Sequence, residues 1–208
     1  MATVASSQFV LVAHPSVPAR DVKALLALAK AQPARLTFAS TGSGTVNHVA
    51  GELHNSMAGV KTTHVPYKGT GPMMLDLLAG HIDLGFTGVS SVVPTINAGR
   101  LKALAVTGAA RSVALPDVPT IAEAALPGYE ATSFWGVLAP AKTPADIVRR
   151  LNAAVFDALK NAELRDAYTR QGNDITPGTP ETFAALIRSD TAKWARVIKS
   201  SGVKLDAP

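Results

Sequence analysis

Ser40-Thr41-Gly42-Ser43-Gly44-Thr45-Val46-Asn47-His48 puts glycines, hydroxyls and a helix start in one short segment. A backbone cradle for an anion is built from these residue types. Glycines let the main chain approach a ligand closely and hydroxyls donate hydrogen bonds. The first turn of a following helix presents amides at the positive end of its dipole. By itself the segment reads equally well as a structural Gly-Ser turn with a capping hydroxyl. Two further junctions have the same character. Val65-Pro66-Tyr67-Lys68-Gly69-Thr70-Gly71-Pro72 contributes the phenol of Tyr67, the cation of Lys68 and the small Gly69. Phe86-Thr87-Gly88-Val89-Ser90-Ser91 contributes the hydroxyls of Thr87 and Ser90 on either side of Gly88. Lys68 also fits a solvated surface charge. Taken together the three turns point to capture of a carboxylate or phosphate, each charge-assisted hydrogen bond contributing roughly 1.5–3 kcal/mol.

Three such turns share a ligand only if they lie side by side, at the carboxyl ends of neighbouring strands in an open α/β sheet. The chain carries that pattern. Strands are expected over 8–13, 36–39, 62–65, 83–86 and 102–107, alternating with helices from Asp21 and over 45–57, 72–78 and 90–98. Asp21 is an N-cap, Val22, Leu25 and Leu26 repeat at helical spacing, and Gly99 is placed for a left-handed helix end. The alternation implies βαβ units and a mainly parallel sheet. The Pro- and Gly-rich stretch 115–128 disfavours continuous secondary structure, and a domain boundary is expected just beyond it. After it come a strand over 131–138 and a helix opened by Thr143 as N-cap, Pro144 at N1 and Asp146 at N3. Ile147, Leu151, Val155 and Leu159 give that helix one apolar face. Thr179-Pro180-Glu181 starts a last helix along which Phe183, Leu186, Ile187, Trp194 and Ile198 can face a core.

Much chemistry is excluded. There is no phosphate-loop lysine, no Gly-x-Gly-x-x-Gly, no His-Glu-x-x-His and no Gly-x-Ser-x-Gly elbow. The histidines, His14, His48, His54, His64 and His81, lack metal-ligand spacing, so no metal and no cofactor is expected. Asp76 and Asp83 read as solvated acids rather than a catalytic pair. Zero cysteines remove disulfides and thiol nucleophiles. The net charge of +5 suits an anionic small molecule. No basic run or helix-turn-helix points to nucleic acid. Phe9 to Ala13, the longest apolar run, is far too short to cross a bilayer.

Ser40-Thr41-Gly42-Ser43-Gly44-Thr45 with His48, Ala50-Gly51-Glu52-Leu53 and His64-Val65-Pro66-Tyr67-Lys68-Gly69 resembles the substrate-binding receptors of tripartite tricarboxylate transporters, the Bug family. Ala98-Gly99-Arg100-Leu101-Lys102-Ala103-Leu104-Ala105-Val106-Thr107, Leu115-Pro116-Asp117-Val118-Pro119-Thr120, Pro127-Gly128-Tyr129-Glu130 and Trp135-Gly136-Val137-Leu138-Ala139-Pro140 continue the likeness in the family's order. The resemblance implies a type II periplasmic-binding-protein fold of two lobes joined by crossing strands. It also implies a small carboxylate handed to a membrane permease, and a periplasmic location, although the first residues, Met-Ala-Thr-Val-Ala-Ser, are not expected to act as a signal peptide. The crossings are expected near 10–14 and 131–135. Residues 14–130 then form the second lobe with the carboxylate loop, and 1–13 with 131–208 form an incomplete first lobe. By likeness Ser40, Thr41, Gly42, Gly44 and Thr45 belong to the carboxylate loop. His48 either contacts the ligand or buttresses that loop, and Phe134 and Trp135 pack or line the cleft. Thr87 stands where the family often has an Asp that selects amino groups, which disfavours an aminated ligand.

Three rival expectations stand beside this one. An effector-sensing regulator domain would need a DNA-binding helix pair, and an enzyme would need a convergent nucleophile and base. The third is a truncated remnant without transport activity, or a fragment that folds only by pairing its exposed half-lobe with a second copy as a homodimer.

Overall fold

The run Phe9-Val10-Leu11-Val12-Ala13 forms the end of a strand, β1 (Ala2–Ala13), where every residue is buried. Both faces are covered, so the run is continuously apolar rather than alternating. This computed structural model describes residues 2–203 and divides into two units. The larger comprises Gln8–Thr132 and the chain from Ala195; the smaller comprises the chain up to Ser7 with Ser133–Trp194. The divisions fall at Ser7/Gln8 and Thr132/Ser133, against the expected 13/14 and 130/131, and the last helix contributes to both units.

In the larger unit β1 is followed by α1 (Val22–Ala31), β2 (Thr37–Ser40), α2 (Val46–Ala58), β3 (Thr63–Pro66) and α3 (Thr70–Ala79). Then come β4 (Leu84–Gly88), α4 (Val89–Asn97), β5 (Lys102–Val106) and the short α5 (Ile121–Ala124). The strand order is β3-β2-β4-β1-β5. β2 is parallel to both neighbours, Phe38 lying opposite His64 and Leu84. β1 runs antiparallel to β4 and β5, with Leu11 opposite Phe86 and Ala105. The carboxyl ends of β3, β2 and β4 therefore lie at one edge, about 4.8 Å apart from strand to strand. At the opposite edge the Asp83 carboxylate accepts from Thr37 N at 2.8 Å and Thr37 Oγ1 at 3.0 Å, tying the start of β2 to β4.

Val10 and Val12 pack with Leu77, Val89, Val92, Leu101, Val106 and Leu115 on one face of this sheet. On the other face Phe38 and Phe86 meet edge to face at 6.1 Å beneath α2. Gly51 of α2 rests directly on Phe38, and a Cβ there would fall 2.3–2.8 Å from the ring. Phe38 is only 1% exposed and has nowhere to move. Gly51→Ala is therefore expected to destabilise the larger unit by about 1–3 kcal/mol, read as a lower urea midpoint. Tyr129, also buried, donates its hydroxyl to the Ala50 carbonyl at 2.9 Å. Tyr129→Phe should cost about 1 kcal/mol in the same measurement.

The smaller unit holds the start of β1 with β6 (Thr132–Val137), α6 (Ala145–Ala158), α7 (Ala162–Arg170), β7 (Asn173–Ile175) and most of α8 (Pro180–Ser201). β1 pairs with both β6 and β7, Ala5 lying opposite Ile175. Its rings Phe134 and Phe183 meet at 5.8 Å.

Several sequence expectations need correction. β1 starts at Ala2 rather than residue 8, because the small residues Ala5 to Ser7 find β7 as a partner. The 115–128 stretch contains α5, held by a capping box in which Thr120 and Glu123 satisfy each other's backbone amides. Thr143 does not cap α6; Pro144 holds the cap position in extended backbone (φ −55, ψ 144), so the helix starts one residue later. On α6 only Leu159, just past its end, is buried, and Leu151 is 43% exposed. On α8 Val197 is buried and Ile198 exposed, the next residue around the helix having turned about 100° away.

Candidate anion-binding site

The turn after β2 is shaped by its own hydroxyls. Ser40 closes the strand with no exposed surface, and its Oγ accepts from Gly42 N at 3.2 Å. The same oxygen lies 3.0 Å from the Gly42 carbonyl and 2.7 Å from His64 Nε2. Thr45 donates through Oγ1 to Gly42 O at 2.7 Å and caps α2 from extended backbone without a side-chain bond to the helix. Gly42 at φ 151 and Gly44 at φ 75 occupy backbone regions that side chains disfavour. Gly44 N donates to His48 Nδ1 at 3.0 Å. That bond leaves the proton of a neutral His48 on Nε2, 3.8 Å from Glu52 Oε1. Burial pushes the Glu52 carboxyl above the usual range, a hydrogen bond with Asn55 opposing it. His48, 5% exposed, buttresses the loop from behind.

Hydrogen bonds gather the three junctions. Tyr67 N donates to Ser40 O at 3.0 Å and Gly69 N to Thr41 O at 3.1 Å, joining the first turn to the second. Asn47 joins the first to the third. Its Nδ2 donates to Phe86 O at 2.8 Å, and its Oδ1 accepts from Thr41 Oγ1 at 3.1 Å. Gly69, at φ 105, and Gly88 occupy the cap positions of α3 and α4. None of α2, α3 and α4 has a side-chain cap, whereas Asp21, Thr120 and Asn161 cap α1, α5 and α7. Three adjacent helices thus begin at one sheet edge with first-turn amides that no cap side chain engages, the arrangement that attracts an anion.

The other sequence candidates are placed as follows. Ser43 is half-buried and Gly44 exposed in the loop, and Ser90 is exposed in the first turn of α4. Thr87 is 1% exposed inside β4, opposite Val10. Lys68 projects into solvent. The Tyr67 hydroxyl is committed to Asp76 Oδ2 at 2.7 Å; burial and that carboxylate push the phenol up to about 12. Asp76 in turn is held low by Tyr67 and His81. Sequence reasoning did not single out Asn47 or His64, although both stand inside the motifs it quoted. A polar side chain buried within a helix's first turn is the available signal for Asn47.

Residues 1–203 match the family model described as the tripartite tricarboxylate transporter family receptor. The chain belongs to that family. One relative, the UPF0065 protein in the tcbD-tcbE intergenic region of Pseudomonas sp. (strain P51), is 42% identical over 180 residues, 86% of this chain and 54% of its own. Among solved structures the chain is similar to R. palustris Rpa4515 with adipate, at TM-score 0.83 and 33% identity over 98% of this chain and 68% of that one. It is also similar to MatC from Rhodopseudomonas palustris with bound malate, at TM-score 0.76 and 30% identity over 94% and 68%. The fold is accordingly the α/β, type II periplasmic-binding-protein fold of these receptors. The chain spans between 52% and 60% of the length of the first curated relatives it matches.

Proposed function

We propose that this receptor binds a small organic acid by seating a carboxylate on the 40–45 loop and the amino-terminal turns of α2, α3 and α4. The supporting observation is the three neighbouring helix starts without side-chain caps, linked by Asn47 and Thr41. An anion there meets backbone amides already oriented by the fold, so little ordering cost is added on binding. Hydroxyls of Ser43 and Ser90 stand at the same junctions to donate, while those of Thr41 and Thr45 already donate to Asn47 Oδ1 and Gly42 O and hold the loop in shape. Thr87, buried and uncharged, supplies no carboxylate to pair with an ammonium group, which favours non-aminated acids. The ligand, carried as an ionised carboxylate in the periplasm, is delivered to the membrane permease of a tripartite tricarboxylate transporter, with no catalytic step. The adipate and malate in the two solved relatives make these the first acids to try.

Thermal melting of the purified chain against di- and tricarboxylates, aromatic acids and amino acids tests the reading. A saturable rise with a non-aminated carboxylate is expected, equivalent to about 2.7 kcal/mol at a hundredfold excess over Kd. A cooperative melt that no acid moves would rule the reading out.

A further inference from the structure

At the sheet edge opposite the 40–45 loop, the chain after β1, helix α1 and the lead into β2 enclose a cavity of about 230 Å³ in the larger unit. Val17, Leu28 and Leu36 give it apolar walls, and Arg35 and Asp83 add opposite charges. These two do not pair with each other. Asp83 Oδ2 takes both bonds from Thr37, at 2.8 and 3.0 Å, so Oδ1 has no hydrogen bond among the described residues. The Arg35 guanidinium donates through Nη1 to Gln32 Oε1, and its other N–H groups stay open. Lys102 fixes the remaining wall, its Nζ donating to the carbonyls of Pro15 and Val17. Beside Arg35 stands Ala34, at φ 61 the single non-glycine with positive φ among the described residues. Its amide donates to Lys61 O at 2.8 Å and its carbonyl accepts from Thr63 Oγ1 at 2.9 Å, which hold it in that disfavoured conformation. Strain of this kind, kept where a charged side chain enters a cavity, is a mark of binding sites.

We infer that this cavity is a second binding site, taking a small α-amino acid with its carboxylate on Arg35 and its ammonium on Asp83 Oδ1. A lone anion in so small a space would also meet Asp83, and a lone cation Arg35; a zwitterion satisfies both. The guanidinium can hold the carboxylate through two parallel N–H bonds, and a short aliphatic side chain would lie against Leu28 and Leu36. The volume is below the roughly 300–1,000 Å³ of pockets for drug-sized ligands, which limits the occupant to a few heavy atoms. β2, four residues long, separates Thr37 and Asp83 from the carboxylate loop by about 10 Å, at about 3.3 Å per residue. The two sites are therefore distinct, and the second stands whether or not the first binds.

Isothermal titration of the full chain with glycine and L-alanine tests this. Saturable binding is expected, with acetate and ethylammonium, which carry one charge each, at least about tenfold weaker. Arg35→Gln should weaken L-alanine binding by roughly tenfold or more. Arg35 is exposed, so that variant should melt as wild type does and keep its response to adipate. Asp83→Asn, whose amide oxygen can still accept from Thr37, should show the same loss. Gly44→Val should leave L-alanine binding unchanged. No binding of either amino acid, or affinity that survives Arg35→Gln in a folded variant, overturns the inference. Loss of L-alanine binding in Gly44→Val also overturns it, by moving the amino acid to the 40–45 loop.

Discussion

Gly44→Val is expected to weaken carboxylate binding by roughly a hundredfold or more, the loss of two charge-assisted hydrogen bonds at about 1.5–3 kcal/mol each. Gly44 sits at φ 75, a left-handed conformation that a β-branched residue resists. Valine relaxes toward negative φ and carries its own amide with it. The bond from Gly44 N to His48 Nδ1 and the closure from Thr45 to Gly42 O both depend on that amide's direction. The loop then no longer presents its amides together with the start of α2. Gly44 is exposed, so the core beneath is untouched and the melt should stay cooperative. Isothermal titration with the acid found by the melting screen, alongside far-UV circular dichroism, separates lost binding from lost fold. Unchanged affinity in a folded variant would move the ligand away from this loop.

Why that loop was legible in the sequence, while its supports were not, follows from the range of the forces involved. Glycines and hydroxyls between a strand and a helix have local consequences, and the first turn after β2 formed where its residue types placed it. Asn47 and His64 act across distance. Asn47 reaches Phe86 O, thirty-nine residues away, and His64 meets Ser40 and His48 only because β3 pairs with β2. Tyr67 is the converse case. Its type suited a ligand, yet its hydroxyl goes to Asp76, nine residues on and one helix further. The same distinction runs through the fold. The parallel strands and their helices were readable from periodicity. β7 is three residues, Asn173, Asp174 and Ile175, and exists because β1 lies beside it. α5 carried a readable Thr120–Glu123 capping box, but the surrounding prolines and glycines outweighed it.

Acid should destabilise the larger unit through one side chain, His54. It sits on the inner face of α2, 3% exposed, with its ring beside Phe86 at 6.1 Å and Tyr129 at 6.5 Å, and among the described residues its Nε2 has no hydrogen-bond partner. Burial pushes its imidazole down to about 4, the bond with Asn55 only partly opposing this. The unfolded chain takes its proton near 6.5, so between about 6.5 and about 4 the unfolded state binds the extra proton and folding weakens as pH falls. Complete passage through that window removes about 3 kcal/mol, and the urea midpoint should fall accordingly. Glu52 works in the opposite sense. Its raised carboxyl penalises the folded state at neutral pH and is relieved as acid protonates it. Asp76, Glu123 and Glu181, held low by their hydrogen bonds, lose stability in acid, but all three are solvent-screened. The difference between wild type and His54→Phe isolates the histidine. Phenylalanine fills the same aromatic pocket without a titrating nitrogen, so the variant should match wild type near pH 7 and exceed it by about 2–3 kcal/mol near pH 4. Parallel acid profiles for the two proteins would show that His54 finds a proton-accepting partner in the folded state, and that the acid sensitivity of this receptor lies elsewhere.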